Sequence, residues 1–243
     1  MSERRAVAAP DGLRFELEPP LARIVIDRDG KRNAVSLPML EAMRLFVDEI
    51  AGNDEVRALV LAGEGRGFCA GEDVRGFDFP DVETAERFLA GPLDLFVALE
   101  RLPKPLVVAV HGFAFGFGSE VLLVADSVHA APGTVLGFAE IDHGLVPSVL
   151  VTRGLDVAFR RRVLDLALTG RRIGVEEALG ARIIHEIVDD PRAAAEAAAL
   201  EMAEWSPESV ALVKGMLGSG AVDDHARALE FMPPVLIQVS VAI

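Results

Sequence analysis

Two short apolar runs, each followed at once by a glycine-dense segment, constrain the fold more than any other feature of the sequence. The runs are Ala58–Leu61 and Leu106–Val110, and the segments after them are 63–73 and 110–120. Apolar runs of this length, bounded by charged residues and glycines, are typical of buried strands. Glycine lets the backbone turn sharply and lets a ligand approach backbone N–H groups. The pattern therefore predicts an α/β core with turns at strand ends that are open to a ligand.

The rest of the chain predicts alternating strands and helices, followed by a last third that is mostly helical. The further strands predicted are Leu13–Leu17, Leu21–Asp27, Ser127–Ala131 and Ile183–Val188. The helices predicted are 36–51, 82–102 with an interruption near Gly91–Pro92, 116–125, Arg153–Thr169, Val175–Leu179, Pro191–Trp205 and Pro207–Leu217. This order favours a core over residues 1–190 and a helical region over 191–243, within one domain.

Composition and charge exclude several classes of protein. Of the 243 residues, 51% are hydrophobic and 26% are charged, which is a globular composition. The formal net charge of -14 argues against a nucleic-acid binder, and no apolar run reaches the roughly 18 residues that span a bilayer. Cys69 is the single cysteine and the five histidines lack metal-ligand spacing, so neither a disulfide nor a metal site is predicted. The N-terminus has no signal-peptide core, which favours a cytoplasmic protein.

The second glycine-dense segment carries a chemical suggestion of its own. Residues 110–120 follow a predicted strand and open a predicted helix, whose first N–H groups lack intrahelical partners and carry partial positive charge. Such N–H groups suit a carbonyl oxygen that gains negative charge during a reaction. Turns of this kind are common, so spacing alone leaves a plain surface loop open for both segments. Neither segment matches the dinucleotide-binding fingerprint or the P-loop.

Further short motifs occur in a fixed order along the chain. They are Lys31-Arg-Asn-Ala34, Phe68-Cys-Ala-Gly-Glu-Asp73, Pro103-Lys-Pro105, Val110-His-Gly-Phe-Ala-Phe-Gly-Phe-Gly-Ser-Glu120, Ala125-Asp126, Phe138-Ala-Glu-Ile141, Gly144-Leu-Val-Pro147, Thr169-Gly-Arg-Arg172 and Glu176-Glu-Ala178. In this order the sequence resembles the enoyl-CoA hydratase/isomerase (crotonase) family from about Leu13 to Lys214. The resemblance implies a spiral of ββα units followed by a helical C-terminal region that mediates trimer assembly. It also implies an acyl-CoA substrate, no cofactor beyond the coenzyme A of that substrate, and a homotrimer or a hexamer built as a dimer of trimers.

The resemblance also assigns roles to single residues. In the family two backbone N–H groups bind the thioester oxygen in an oxyanion hole, and the matching positions are Glu72 and Phe117. The family usually has glycine at the second position, so phenylalanine there changes the pocket shape that we expect. The positions that match substrate-binding or CoA-binding positions of the family are Arg32, Ala34, Ala70, Asp73, Val74 and Gly116. We expect Asp73 to order its loop rather than to do chemistry. Lys31 and Lys104 are candidate phosphate contacts, with a solvated surface charge as the alternative.

Hydratases of the family use two glutamates, which match Glu120 and Glu140. Adding water across a double bond conjugated to a thioester requires a base that activates water and an acid that protonates the α-carbon. Two carboxyl groups beside one apolar pocket have raised and coupled pKa values, which suits this exchange of protons. By composition alone, Glu120 would complement a helix dipole and Glu140 would be a solvated loop acid. His143 is the histidine near the second glutamate that is a candidate to line the pocket.

Departures from the family pattern leave the reaction open. Ala139 replaces the usual proline before the second glutamate, residues 148–151 replace the usual glycines, and Arg182 replaces a glycine. The two matched glutamates nevertheless favour an enoyl-CoA hydratase, which is the function that the sequence predicts. An enoyl-CoA double-bond isomerase and a non-catalytic acyl-CoA binder are the alternatives.

Overall fold

The two apolar runs form neighbouring central strands of a mixed sheet in the computed structural model, which describes residues 5–73 and 80–217. The strands, in chain order, are β1 (Arg5–Val7), β2 (Leu13–Glu18), β3 (Leu21–Ile26), β4 (Ala58–Gly63), β5 (Leu106–Val110), β6 (Phe113–Phe115), β7 (Ser127–Ala130), β8 (Val135–Gly137), β9 (Arg172–Gly174) and β10 (Glu186–Ile187). Within the described residues the larger sheet has seven strands in the order β1-β2-β3-β4-β5-β7-β10. The pairs β1-β2 and β2-β3 are antiparallel, and the pairs from β3 to β10 are parallel. Because β4 and β5 are parallel neighbours, the glycine-dense segments after them begin at the same edge of the sheet.

Eight α-helices and three short 3-10 helices accompany the strands in the part of the chain that the structure describes. The α-helices are α1 (Leu37–Ala51), α2 (Val82–Arg101), α3 (Phe117–Glu120), α4 (Ser148–Val157), α5 (Arg160–Thr169), α6 (Val175–Gly180), α7 (Pro191–Ala203) and α8 (Pro207–Leu217). The 3-10 helices are Asp29–Lys31, Val121–Leu123 and Glu140–His143. Among these described helices, none combines the length and the apolar character that crossing a bilayer requires.

Both faces of the larger sheet are buried, which explains the continuous apolar runs in its central strands. Along β4, Leu59 and Leu61 belong to the main core with the buried faces of α1 and α2. Val60 belongs to a second cluster on the other face, where α7 contributes Ala195 and Ala199. Since alanine side chains are small, α7 lies close against the strands. The boundary at residue 190 stays a prediction, although α7 packs directly on the sheet.

The sequence did not predict the second sheet, which consists of β6, β8 and β9 within the described residues. Each of these strands has three residues, which is too short to show an alternating pattern. The strand β6 runs through the glycine-dense segment 110–120, where glycines argue against a strand. Pairing with β8 explains it, because Phe113 lies opposite Val135 and Phe115 opposite Gly137.

The predicted interruption near Gly91–Pro92 is wrong, because α2 runs without a break through both residues. Proline removes one backbone N–H donor from the helix. The buried side chains Leu89, Leu93 and Phe96 lie on both sides of this point and pack into the core. This packing offsets the missing hydrogen bond.

Three other boundaries also differ from the prediction. The helix predicted over Arg153–Thr169 is two helices, since α4 ends where Ala158 adopts an extended conformation. The helix predicted over 116–125 is α3 followed by a 3-10 turn, and the strand predicted over Ile183–Val188 is only Glu186–Ile187.

Arg182 adopts a φ of 63°, in the left-handed region that glycine tolerates best. This backbone conformation explains why a glycine suits the position.

Candidate active site

The two glycine-dense segments lie side by side and are joined by backbone hydrogen bonds. Cys69 pairs with Ala114 as in a parallel sheet. Cys69 N donates to Phe113 O at 3.3 Å, and Phe115 N donates to Cys69 O at 2.9 Å. A similar contact joins Glu72 to Val35, because Asp73 N donates to Val35 O at 2.7 Å. The loop after β4 is therefore fixed on both sides by backbone pairing.

Two glycines are required where the second segment turns into α3. Gly116 has a φ of 50°, and its N–H donates to Gly137 O at 3.1 Å. A side chain at Gly118 would place its Cβ only 2.6 Å from Cys69 O, which is a backbone atom that has no room to move. These contacts set the direction of the Phe117 N–H at the start of α3.

The Phe117 side chain does not change the pocket in the way that the sequence predicted. The ring is fully buried and packs against Phe96 at a centroid distance of 5.3 Å. The backbone N–H instead faces the loop after β4, where Glu72 Oε2 lies 3.5 Å from Phe117 N. The two positions predicted to form an oxyanion hole are thus close together.

A cavity of about 130 Å³ lies beside these turns. Its lining includes five of the predicted site residues, which are Ala70, Glu72, Gly116, Glu120 and Glu140. His143 and Ser148 also line it, together with apolar side chains from α2 and from the loop before α4. A larger groove of about 780 Å³ lies between α1 and α2 and contains none of the predicted site residues. The smaller cavity is therefore the candidate active site.

Glu120 binds a different helix from the one expected. It is the last residue of the four-residue α3 and therefore still lies in the first turn of that helix. Its Oε1 accepts hydrogen bonds from Val149 N at 2.7 Å and from Leu150 N at 3.1 Å, in the first turn of α4. The side chain is 4% exposed. Within the described residues, its Oε2 has no hydrogen bond and is left for a ligand.

Glu140 begins a 3-10 turn, and its carboxyl group is buried, which contradicts a solvated loop acid. Both of its carboxylate oxygens are buried and have no hydrogen-bond partner among residues 5–73 and 80–217. A Cβ placed on Gly116 would lie 3.4 Å from Glu140 Oε1 and 3.4 Å from Glu72 Oε2. Three carboxyl groups therefore share the cavity, one more than the sequence predicted.

Burial raises the pKa of all three carboxyl groups, and repulsion by neighbouring carboxylates adds to the effect for Glu120 and Glu140. Burial raises the pKa of Glu140 to about 8, and the charge of Glu72 adds to the effect. Burial raises the pKa of Glu120 well above its usual value, followed by the charges of Glu140 and Glu72, while the N–H groups of Leu150 and Val149 oppose the increase. Burial also raises the pKa of Glu72. Proton-transfer sites at neutral pH commonly have such shifts.

The residues predicted to contact coenzyme A are divided between the cavity and the adjoining surface. Ala70 lines the cavity, and its N–H donates to Arg32 O at 3.1 Å, while the Arg32 side chain is exposed. Asp73 Oδ2 pairs with Arg28 Nη1 at 3.0 Å, and the same Arg28 nitrogen donates to Ala34 O. Arg28 was not predicted, and it joins two predicted positions. Val74 lies outside the described residues.

Lys104, whose role the sequence left open, and Asn33 both have structural partners. Lys104 Nζ donates to Ile50 O and Asn53 O at 2.5 and 2.7 Å, so it caps the end of α1 rather than contacting solvent alone. Asn33 adopts a φ of 57° and donates from Nδ2 to Glu64 O and Gly67 O, both at 2.7 Å. Asn33 therefore links the Lys31-Arg-Asn-Ala34 turn to the loop after β4.

No group of three or more potential metal ligands occurs in the part of the chain that the structure describes. Cys69 is buried, and burial raises the pKa of its thiol to about 12, so it is not a reactive thiolate. Ser119 Oγ donates to Ala114 O at 2.6 Å and serves the turn. The polar groups along the cavity are therefore the carboxyl groups, backbone N–H groups, His143 and Ser148.

Comparison with known proteins agrees with the fold and shows the family of the chain. Residues 21–230 match the family model for enoyl-CoA hydratase/isomerase. The chain is 30% identical over 228 residues to a probable enoyl-CoA hydratase of Mycobacterium leprae, covering 86% of this chain and 76% of that protein. It is 33% identical over 183 residues to the 1,2-epoxyphenylacetyl-CoA isomerase of Escherichia coli, covering 72% and 68%.

Solved structures give the same result for the fold. An enoyl-CoA hydratase/isomerase from Mycobacterium paratuberculosis superposes with a TM-score of 0.88, at 22% identity over 98% of this chain and 100% of that one. A related protein from Acinetobacter baumannii superposes with a TM-score of 0.86, at 25% identity over 95% and 100%. The chain has the crotonase fold, and it belongs to the enoyl-CoA hydratase/isomerase family. It is thus a crotonase-family enzyme.

Proposed function

We propose that the protein is an enoyl-CoA hydratase that adds water to a 2-enoyl-CoA without a cofactor beyond the coenzyme A of its substrate. The observation that carries this proposal is the cavity beside β6. It is lined by Glu72, whose carboxyl oxygen lies 3.5 Å from Phe117 N, and by two further carboxyl groups of raised pKa, Glu120 and Glu140. An oxyanion hole and an acid–base pair are the two requirements of this reaction.

In this mechanism the thioester oxygen accepts hydrogen bonds from the N–H groups of Glu72 and Phe117. These bonds stabilise the negative charge that develops on the oxygen when the oxygen of water bonds to the β-carbon. One glutamate carboxylate takes a proton from the water, and the other glutamate gives its proton to the α-carbon. At the end of the reaction the glutamate that acted as the base carries a proton, and the glutamate that acted as the acid has lost one.

We assign the roles of the two glutamates from their hydrogen bonds. Glu120 accepts two N–H bonds at the start of α4, where the helix dipole also favours negative charge. Glu140 has no hydrogen bond from another described residue, and only its own backbone N–H acts to lower its pKa. When one proton is shared by the pair, it therefore resides on Glu140. Glu120 is the base that activates water, and Glu140 is the acid that protonates the α-carbon.

Turnover of a small panel of 2-enoyl-CoA thioesters, from crotonyl-CoA to longer chains, tests this proposal. We expect hydration by the wild-type protein and a loss of about 10² to 10⁴ in rate for Glu140→Gln, because the amide has no acidic proton to give. Glu49→Gln, on the exposed face of α1, is the matched control and keeps the wild-type rate. A wild-type protein that consumes no member of the panel contradicts the proposal.

Double-bond isomerisation is the second candidate, and one observation favours it. Glu120 Oε1 is already occupied by the N–H groups of Val149 and Leu150, which leaves one carboxylate oxygen to position a water molecule. Isomerisation requires only that a proton leave one carbon and return to another. A 3-enoyl-CoA substrate separates the two reactions: a shifted double bond without hydroxyacyl product supports the isomerase. Tight binding of acyl-CoA with no turnover of either substrate supports a binding protein.

We also propose a homotrimer, or a hexamer of two trimers, as the resemblance implies. Exposed apolar side chains on α4, on α5 and between them support a contact with another subunit, since Phe159 between the helices is 82% exposed and Leu155 and Leu168 are also exposed. Light scattering of the purified protein tests this. A monomer at micromolar concentration contradicts it.

A further inference from the structure

The Glu72 carboxyl group has no role in the hydration mechanism, although it lies in the cavity. Its backbone N–H matches one of the two oxyanion donors, whereas its side chain turns towards the other. Glu72 Oε2 lies 3.5 Å from Phe117 N, which is a long hydrogen bond. The same oxygen lies on the Gly116 side of the cavity, as does Glu140 Oε1.

A carbonyl oxygen and the Glu72 carboxyl group cannot use this N–H at the same time. An acceptor of a backbone N–H lies about 2.9 Å from the nitrogen along the N–H direction. The Glu72 carboxyl group already occupies that side of Phe117 N. Two backbone N–H groups, those of Glu72 itself and of Phe117, also act to lower the pKa of this carboxyl group against the effect of its burial. Both predicted oxyanion donors are thus within reach of one carboxyl group.

We propose that the Glu72 carboxylate is an internal ligand of the oxyanion hole, which the thioester oxygen of the substrate must displace. Glu72 then sets the affinity of the protein for thioesters, because binding requires its side chain to leave. Glu72 as a residue is partly exposed while its carboxyl group is buried enough to raise its pKa, so displacement would carry the group from a buried position towards the surface. This inference rests on the proposed function, since it requires the oxyanion hole to bind a thioester.

The size of the effect follows from how often Glu72 fills the hole. When a site is open in only a fraction of molecules, its apparent Kd is weakened by the inverse of that fraction. If Glu72 fills the hole in about nine of ten molecules, removing it tightens binding about tenfold. A coenzyme A derivative without a carbonyl oxygen does not bind in the oxyanion hole, so removing Glu72 does not tighten its binding.

Calorimetry with two unreactive ligands tests the proposal. Butyryl-CoA is a saturated thioester, and S-butyl-CoA is the matching thioether, which lacks the carbonyl oxygen. We expect Glu72→Ala to bind butyryl-CoA about tenfold more tightly than wild type and S-butyl-CoA within about twofold of wild type. Glu72→Gln keeps a neutral oxygen acceptor of the same size, so its gain is smaller, about threefold.

The thioether separates displacement from a general effect of charge. Coenzyme A is an anion, so removing any nearby carboxylate tightens both ligands to the same extent. Equal gains for the two ligands, or no gain for butyryl-CoA in either variant, overturn the proposal. Glu176→Ala, an exposed carboxylate on α6, controls for net charge. If Glu72→Ala does not fold by circular dichroism, the isosteric Glu72→Gln decides by the same comparison.

The outcome also distinguishes this inference from the proposed function. A wild-type protein that hydrates crotonyl-CoA, with variants that show no selective gain for the thioester, overturns the role of Glu72 alone. A wild-type protein that neither turns over enoyl-CoA nor binds butyryl-CoA, with variants that also do not bind it, overturns both.

Discussion

The two walls of the cavity are built in different ways. The backbone wall consists of residues 69–72 and 114–118, and backbone hydrogen bonds and tight glycine contacts hold it in place. The carboxyl wall consists of Glu120, Glu140 and residues 148–150. It depends on side chains, of which Glu120 is held by two N–H groups of α4 and Glu140 by no N–H group of another described residue.

The backbone wall tolerates changes of side chain, whereas the chemistry of the carboxyl wall depends on the side chains themselves. Phe117 replaces a usual glycine without filling the cavity, because a backbone donor remains whatever the side chain is. In the carboxyl wall each side chain decides which proton moves and where. We infer that the backbone wall binds thioesters in general, whereas the carboxyl wall selects the reaction.

The largest effect that we expect comes from removing one charge in the carboxyl wall. Glu120→Gln retains a side-chain oxygen for Val149 N and Leu150 N, so α4 keeps its first turn. It loses the base, and hydration of crotonyl-CoA falls by about 10² to 10⁴. Butyryl-CoA still binds within about threefold of wild type, because the backbone wall is intact. A variant that loses rate and binding together contradicts the separation of the two walls.

A smaller loss follows from displacing the backbone wall. Gly118→Ala places a Cβ 2.6 Å from Cys69 O and 2.8 Å from Cys69 Cβ, so the two segments must move apart. The Phe117 N–H shifts with them, and we expect the rate to fall about 10²-fold, as for loss of one oxyanion donor. Butyryl-CoA binding weakens as well, unlike in Glu120→Gln. Gly180→Ala, where a Cβ meets nothing within 4 Å, is the control and keeps full activity.

The pH dependence of the reaction sharpens the assignment within the carboxyl wall. Glu140 must be protonated to act as the acid, and burial raises its pKa to about 8. The value of kcat/KM for crotonyl-CoA therefore falls about tenfold for each pH unit above that pKa, since this ratio reports the free enzyme. This fall at high pH reports the coupled titration of Glu120 and Glu140 rather than of one group alone. A profile that stays flat well above this pKa contradicts Glu140 as the acid.

The backbone wall was more predictable from sequence than the carboxyl wall. Apolar runs before glycine-dense segments indicated β4, β5 and the turns after them, and motif order indicated Glu120 and Glu140. The side-chain direction of Glu72 was not predictable, because it depends on a contact with Phe117, 45 residues away. The contact between Glu120 and α4 was missed for the same reason, as it joins residues 29 and 30 apart.

The fold shows the same limit. Long amphipathic helices such as α1 and α7 follow from local pattern, but the three-residue strands β6, β8 and β9 exist only through pairing with one another. Arg153 on α4 forms an ion pair with Glu100 on α2 at 2.6 Å, and both side chains are nearly buried. Nothing local in the sequence indicates this pair. Long-range contacts thus determine where the carboxyl wall lies.

The smallest effect that we expect is on stability. It tests whether the Glu140 carboxyl group lacks the hydrogen bonds that hold the Glu120 carboxyl group. A carboxyl group whose pKa is about 8 in the folded protein and about 4.3 when unfolded destabilises the fold as pH rises between these values. At a pH below the pKa of the carboxyl group in the unfolded chain, Glu140 is neutral in both the folded and the unfolded state and does not lower the free energy of unfolding. Glu140→Gln removes the cost, so at pH 9 we expect it to be more stable than wild type, with no difference near pH 4. Urea denaturation at the two pH values measures this, with Glu49→Gln as the exposed control. Equal stability of Glu140→Gln and wild type at pH 9 would mean that the buried carboxyl group has a partner, which would remove the reason for assigning the shared proton to it.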